Sequence, residues 1–112
     1  MFSAGDEAKS RNWAPVLDAG RHARARLGFI LMSTDLASEQ DFFDMAPPGV
    51  GIHITRLKTD DYTTRETLAQ HIHHMADAAS RLQPDMKPEV ISYGCTSGSI
   101  VNGEQAVFDA IV

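Results

Sequence analysis

Strand-like and helical stretches alternate from residue 27 to the end of this chain. The alternation begins with an apolar run over residues 27–32, which is followed by Ser-Thr-Asp, residue types that often start helices. Because a strand that is apolar throughout has both faces covered, the run predicts a strand inside a parallel sheet. The predicted order, β-α-β-α-β-α, is typical of an α/β fold with three layers, a parallel sheet with helices on both faces.

Periodicity predicts the other elements, which are a helix over 35–45, a strand over 50–57, a long helix after 63, a strand over 89–94 and helix, or loop then helix, from 100. The second strand alternates apolar and polar residues, which favours a place at the sheet edge. Thr63 and Glu66 predict a capping box at the start of the long helix.

The length of 112 residues predicts a single domain. Residues 1–25 are polar, rich in Ala and Arg and without a sustained period, so they are predicted to form a flexible leader that Trp13 could anchor. Residues 26–112 are the predicted α/β unit, and the last helix is expected to be still in progress at Val112.

Composition excludes several classes of partner. The net charge is −5, with ten Lys plus Arg against fifteen Asp plus Glu, and nucleic acid is not expected because phosphate binding needs a basic face. No apolar run approaches the roughly 18 residues that span a bilayer, so no membrane partner is expected. A single cysteine cannot form an internal disulfide, which favours a reducing, cytoplasmic location.

The third strand is followed by Gly-Cys-Thr-Ser-Gly-Ser, which contains the candidate catalytic residue, Cys95. A thiol reacts as its thiolate, and the free amides at a helix start stabilise that negative charge. Thr96, Ser97 and Ser99 add hydroxyl donors, and Gly98 allows a ligand to approach the backbone closely. The turn therefore predicts a cradle for a carboxylate beside the sulfur, although a buried cysteine acting as a small apolar residue remains an alternative.

The loop after the first strand is expected beside this turn, because ligands of parallel sheets bind at the carboxyl ends of the strands. It supplies Ser33, Thr34 and Asp35 as further candidate binding residues. His71 and His74 lie three apart on the long helix, but no Cys, Asp or Glu completes a metal site there. We predict solvated helix histidines and no metal, with a metal shared across a dimer as a weaker hypothesis.

Three features together resemble the aspartate/glutamate racemase superfamily: Leu-Met-Ser-Thr-Asp after the first strand, the helix with Glu39 and Asp41, and Tyr-Gly-Cys-Thr-Ser-Gly-Ser. The likeness is nearest to the maleate isomerase and arylmalonate decarboxylase branch, especially the ectoine-utilisation protein A group, and covers residues 26–112. It implies two similar α/β halves, of which this chain is the truncated N-terminal one. It also implies an active site between the halves, with one Cys from each, a carboxylate substrate and no cofactor.

The resemblance implies roles for individual residues. Cys95 matches the first of the two cysteines, Thr96 and Ser97 would hold the substrate carboxylate, and residues 33–35 would contact it from the other side. The isomerase pattern has Asn where this chain has Asp35. An acid there repels a dicarboxylate unless it is protonated or turned toward a cation, which favours an ectoine-related compound that carries a cationic amidine beside its carboxylate.

These considerations give two hypotheses from different classes. The first is a cysteine-dependent isomerase, racemase or ring-acting enzyme of ectoine breakdown, with little or no turnover expected while the C-terminal half is missing. The second is a non-catalytic ligand-binding or partner module that keeps the fold. A homodimer is left open under both.

Overall fold

The structure is a computed structural model that describes residues 14–85 and 87–112. Trp13, the predicted anchor, lies outside them with much of the predicted leader, and residues 14–24 contain neither helix nor strand. The elements are β1 (Ala25–Met32), α1 (Ser38–Met45), β2 (Val50–Leu57), α2 (Arg65–Ser80), β3 (Val90–Tyr93), α3 (Thr96–Asn102) and α4 (Glu104–Ile111). The predicted alternation is confirmed, and its last helical region is two helices that meet at Gly103, where φ is +87°.

The three strands are parallel and lie in the order β2-β1-β3. The apolar strand β1 is central, and β2 is at the edge, both as predicted. The chain passes from β1 to β2 on one side and then crosses to β3 on the other. The strand order therefore reverses between β1 and β3, and the crevice at their carboxyl ends is where such sheets bind ligands.

Helices cover both faces of the sheet, which confirms the three-layer α/β prediction. On one face the ring of Phe29 in β1 stacks on Phe42 of α1, with the ring centroids 4.0 Å apart. Successive strand residues point to opposite faces, so Ile30 lies on the other face, in a cluster with side chains of α2 and α4. The buried members of that core cluster are Ile30, Leu57, Met75, Ala78, Leu82 and Val107.

β3 is the second edge of the sheet in the described residues, since it pairs with β1 alone. It is short, and its pairing with β1 joins only Leu27–Ile30 to Val90–Tyr93. Val90 is 57% exposed on this edge, and Phe108 of α4 is 52% exposed. The sheet is therefore better covered at β1 than along β3.

Three helix starts differ from the sequence predictions. α3 begins at Thr96, before the predicted residue 100, because the Cys95 sulfur accepts from the Gly98 amide and caps the helix there. α1 begins at Ser38, because the Asp35 carboxylate accepts hydrogen bonds from the amides of Ala37 and Ser38 and so precedes the helix. The capping box of α2 is formed by Thr64 and Thr67, not by Thr63 and Glu66, since a threonine hydroxyl can bond back to the capping amide as a Glu side chain does. Within the described ranges no helix has both the length and the apolar character needed to cross a membrane.

Candidate active site

Cys95 lies between β3 and α3, at the carboxyl edge of the sheet, and caps the start of α3. Its Sγ accepts a hydrogen bond from the Gly98 amide at 3.3 Å. The Ser99 hydroxyl donates to the Cys95 carbonyl at 2.9 Å, which closes the same turn. The side chain is half-buried. The sulfur is thus held by a main-chain donor and is not sealed among apolar side chains.

The thiol opens on a cavity of about 110 Å³ beneath the loops that follow β1 and β2. Hydroxyl-bearing side chains dominate its wall; they are Thr34, Thr59, Tyr62, Thr63, Thr67 and Ser97. Its ionisable groups besides the thiol include Asp60 and His71. The volume is well below the roughly 300–1,000 Å³ of sites for drug-sized ligands, so only a small molecule or part of one fits.

A half-buried tyrosine and a buried histidine form a pair beside the turn that holds the thiol. The Tyr93 hydroxyl at the end of β3 is 2.5 Å from Nδ1 of His71 on α2, and the two rings are almost perpendicular at 85°. His71 is only 5% exposed, so the prediction of a solvated helix histidine is wrong for it, whereas His74 is exposed. The signal was present in the sequence: His71 lies four residues before the buried Met75, on the same stripe of the helix.

Tyr93 is also a neighbour of Cys95 in the chain. Burial raises the pKa of the Tyr93 phenol above its usual value, and the nearby Cys95 raises it further. Burial lowers the pKa of His71, and nearby His74 lowers it further, while Asp60 raises it. At neutral pH Tyr93 therefore stays protonated, and its hydroxyl can donate to Nδ1 of His71.

Gly98 makes this arrangement possible. A Cβ at residue 98 would overlap the Tyr93 hydroxyl and would lie 3.0 Å from Nδ1 of His71. The sequence predicts that Gly98 allows a ligand to approach the backbone, but the atoms that approach it are those of the tyrosine–histidine pair. The absence of a side chain at this position brings the pair against the same turn that holds the sulfur.

Asn102 connects this turn to α2. Its side-chain amide donates to the carbonyls of Leu68 and Gly98, both at 2.9 Å. The bond to Leu68 fixes the end of α3 against the helix that carries His71, and the bond to Gly98 lies within α3. Neither Asn102 nor Tyr93 was singled out from the sequence, because their importance arises from contacts between residues far apart in the chain.

The first predicted loop contributes only one of its three residues to the cavity, Thr34. The Ser33 hydroxyl is 2.6 Å from that of Thr59, so it joins the ends of β1 and β2. The Asp35 carboxylate accepts from the Ser38 amide at 2.9 Å and the Ser38 hydroxyl at 2.7 Å, and these bonds lower its pKa. The Asp35 carboxylate therefore binds the backbone amides at the start of α1.

The residues of the second predicted loop also fall into two groups, those at the cavity and those away from it. Cys95 and Ser97 line the cavity together with Thr34, and Gly98 contributes the amide that bonds the sulfur. Thr96 is exposed and does not line the cavity, and the Ser99 hydroxyl is bonded to a carbonyl of its own turn. The structure thus brings part of the predicted binding set to the thiol and uses the rest to shape the two loops.

In residues 14–85 and 87–112 no three His, Cys, Asp or Glu side chains are grouped as ligands of a metal ion. Nδ1 of His71 is engaged by Tyr93, which limits what His71 could offer to a metal shared with His74.

No protein-family model matches this sequence, and no curated protein matches it. The resemblance to the racemase superfamily consequently depends on the quoted motifs.

Proposed function

We propose that this chain belongs to the aspartate/glutamate racemase superfamily and carries the first thiol of an isomerase or racemase-like active site for a small carboxylate, in cytoplasmic ectoine breakdown. One observation carries the proposal. The Sγ atom of Cys95 is held by the Gly98 amide at the wall of a small cavity whose other groups are mostly hydroxyls.

This arrangement suits proton transfer at carbon next to a carboxylate. A thiolate at Cys95 takes the proton from the α-carbon, which forms the S–H bond and leaves the electron pair delocalised into the carboxylate. The hydroxyls of Thr34 and Ser97 lie in the same cavity and can donate hydrogen bonds to the negative charge that develops. A proton returned from the opposite face completes the inversion, and in a two-half protein of the racemase type the second cysteine would supply it.

The charge of the cavity favours a substrate with both signs. Asp60 contributes a carboxylate to the wall, and the described lining contains no Lys or Arg. A dicarboxylate would meet repulsion from Asp60, whereas an amidine beside a single carboxylate would be attracted to it. This argument and the family likeness both point to an ectoine-related compound.

The proposal is tested by following solvent deuterium exchange into ectoine, hydroxyectoine and maleate by NMR, with the full chain and with Cys95→Ala. We expect slow exchange without inversion into at least one ectoine-related compound, because removal and return of a proton at one face needs only one thiol. Cys95→Ala should lower this exchange by about 100-fold or more, since a positioned acid–base group contributes that much. Ser92→Ala, which removes an exposed hydroxyl on β3, is the control and should leave exchange unchanged.

Equal exchange in the wild-type protein and Cys95→Ala would remove the thiol from the chemistry. If these compounds protect Cys95 from alkylation without any exchange, the non-catalytic binding module is the better account.

Substrate charge can be tested separately through Asp60. Asp60→Asn should weaken the protection of Cys95 by ectoine by about two- to fivefold, because Asp60 is exposed and exposed ion pairs are worth at most about 1 kcal/mol. Protection by maleate should not weaken. Asp61→Asn is the matched control, since Asp61 is the exposed neighbour that does not line the cavity.

A further inference from the structure

A second cavity lies at the opposite end of the sheet from Cys95, where the chain enters β1 and β2. Its volume is about 460 Å³. Arg21 and His22 reach it from the segment before β1, Phe43 from α1, and Pro47 and Pro48 from the turn before β2. The volume falls within the roughly 300–1,000 Å³ that is usual for sites that bind small molecules.

The apolar part of the wall is flat and stiff. Phe43 is 50% exposed, whereas its neighbour Phe42 is stacked on Phe29 of the sheet. The ring of Phe43 is therefore not used up by the core and faces the cavity with Pro47 and Pro48. Such a wall suits a planar apolar group, because rings pack well on one another and little side-chain freedom is lost.

The ionisable part of the wall is positive, although the net charge of the chain is −5. Arg21 and His22 line the cavity, and no Asp or Glu does so in the part of the chain that the structure describes. Arg21 forms no ion pair with a described residue. Asp18 is bonded to the Gly20 amide and Asp44 to the Gln40 side chain, so these two acids are engaged elsewhere.

His22 is held in place although it precedes the first strand. Its ring lies against Gly51 of β2, where a Cβ would overlap it. The ring also meets His53 edge to face, with the centroids 5.5 Å apart. The bare backbone at Gly51 thus provides the seat that fixes one positive group of the cavity wall.

More positive charge lies beside this seat. Arg26 is opposite Gly51 in the sheet, and its guanidinium is paired with Glu89 at 3.5 Å. Burial lowers the pKa of His53, and the charges of His22 and Arg26 lower it further. Nε of Arg26 and Nε2 of His53 are buried without a hydrogen-bond partner among the described residues. A negative charge at His22 would therefore relieve repulsion between groups that the fold has brought together.

We propose that this cavity binds a small carboxylate that carries a flat apolar group. The carboxylate lies at Arg21 and His22, and the apolar group packs on Phe43. A guanidinium can donate two parallel hydrogen bonds to a carboxylate, and an imidazole N–H can add a third. The site is separate from the thiol and does not depend on the function proposed above.

Benzoate and benzamide are suitable probes, because they share one shape and only benzoate is charged. Their binding to the full chain can be followed by NMR shifts of the backbone amides. We expect the Kd of benzoate to be lower by about fivefold or more, since two cations each contribute as exposed ion pairs do. The largest shifts should fall in residues 21–22 and 49–52. About 0.5 M NaCl should reduce the difference, because salt screens exposed charges.

Two variants remove the positive groups one at a time. Arg21→Gln should weaken benzoate binding by about two- to fivefold, with Arg65→Gln at the exposed start of α2 as the matched control. His22→Phe keeps a ring over Gly51 but loses the N–H donor, and it should weaken benzoate binding by about two- to tenfold. His73→Phe is its control, since His73 is exposed on α2. Benzamide binding should change little in Arg21→Gln.

Equal affinities for benzoate and benzamide would overturn the proposal. So would benzoate shifts centred on Thr34 and Ser97, which line the cavity at the thiol. Cys95→Ala should bind benzoate as the wild type does, and a loss of binding there would assign benzoate to the thiol site instead. This site can fail while Cys95→Ala still abolishes deuterium exchange, and it can hold in a protein that exchanges no substrate.

Discussion

At His71 the sequence pattern and the residue type suggest different roles. Histidines on an amphipathic helix are often solvated, and His73 and His74 are exposed as that expectation requires. His71 instead lies on the apolar stripe with Met75, and its Nδ1 is hydrogen-bonded with the Tyr93 hydroxyl. Helical spacing alone could have identified the stripe, but the tyrosine partner comes from a strand 22 residues later and could not be read from local sequence.

Burial of His71 has a measurable consequence for stability. Its pKa is lower in the folded protein than the ordinary value of 6.5, so the unfolded chain binds more protons as the pH falls below 6.5. The contribution of neutral His71 to the free energy of unfolding is complete above pH 6.5 and is lost as the pH falls through the pKa of His71 in the folded protein. We expect the free energy of unfolding in urea to fall less between pH 7 and 5 for His71→Gln than for the wild type.

His73→Gln is the control for this titration, because His73 is exposed on the same helix. His53, whose pKa is lowered by burial, then by His22 and Arg26, is present in every protein compared and cancels. A His71→Gln protein with the wild-type dependence on pH would show that His71 does not titrate from a buried state.

Among the secondary-structure elements, α3 depends most on its surroundings. Its seven residues carry no charged side chain, and they are placed by Cys95 at the start and by Asn102 at the end. The sequence predicted the turn at Cys95 because Gly, Ser and Thr mark such turns. It did not predict the break at Gly103 or the side-chain bond from Asn102 to α2, since both depend on how the helices pack.

Asn102→Ala should therefore destabilise the protein and loosen the site together. It removes two side-chain hydrogen bonds to carbonyls of Leu68 and Gly98, each worth about 0.5–1.5 kcal/mol. We expect a lower free energy of unfolding, by about 1–3 kcal/mol in total, and an altered alkylation rate at Cys95.

The control is Gln105→Ala on α4, which removes an exposed bond to Asp109. It should change the free energy of unfolding by no more than about 0.5 kcal/mol, as other surface substitutions do. An equal decrease in the free energy of unfolding for the two variants would show that the α2–α3 hydrogen bond contributes no more to stability than an exposed one.

For the whole molecule, the fold class could be predicted and the arrangement of the strands only in part. The apolar run of β1 required a central strand and the alternation in β2 favoured an edge, and both predictions are confirmed. The short strand β3 has no pattern that assigns its neighbour. Its position follows from the core that α2 and α4 build with β1, and that core places the ends of β1 and β3 side by side.

The core can be tested at Met75, which is completely buried between the sheet and the helices. Met75→Ala should lower the free energy of unfolding by about 2–5 kcal/mol, because it leaves a cavity as well as losing apolar contact. Met45→Ala is the matched control, since Met45 is 74% exposed, and it should cost no more than about 0.5 kcal/mol. A similar loss in both would contradict the described core.

The open side of β3 has a consequence for handling this chain. Its main-chain donors and acceptors on that side have no strand partner among the described residues, and Val-Ile-Ser-Tyr offers no charge that would repel an extended segment. Concentrated solutions should accordingly become turbid through association at this edge, although the net charge of −5 makes the chains repel one another. Dilution should delay the turbidity. Colloidal behaviour, not unfolding, then sets the practical ceiling on sample concentration.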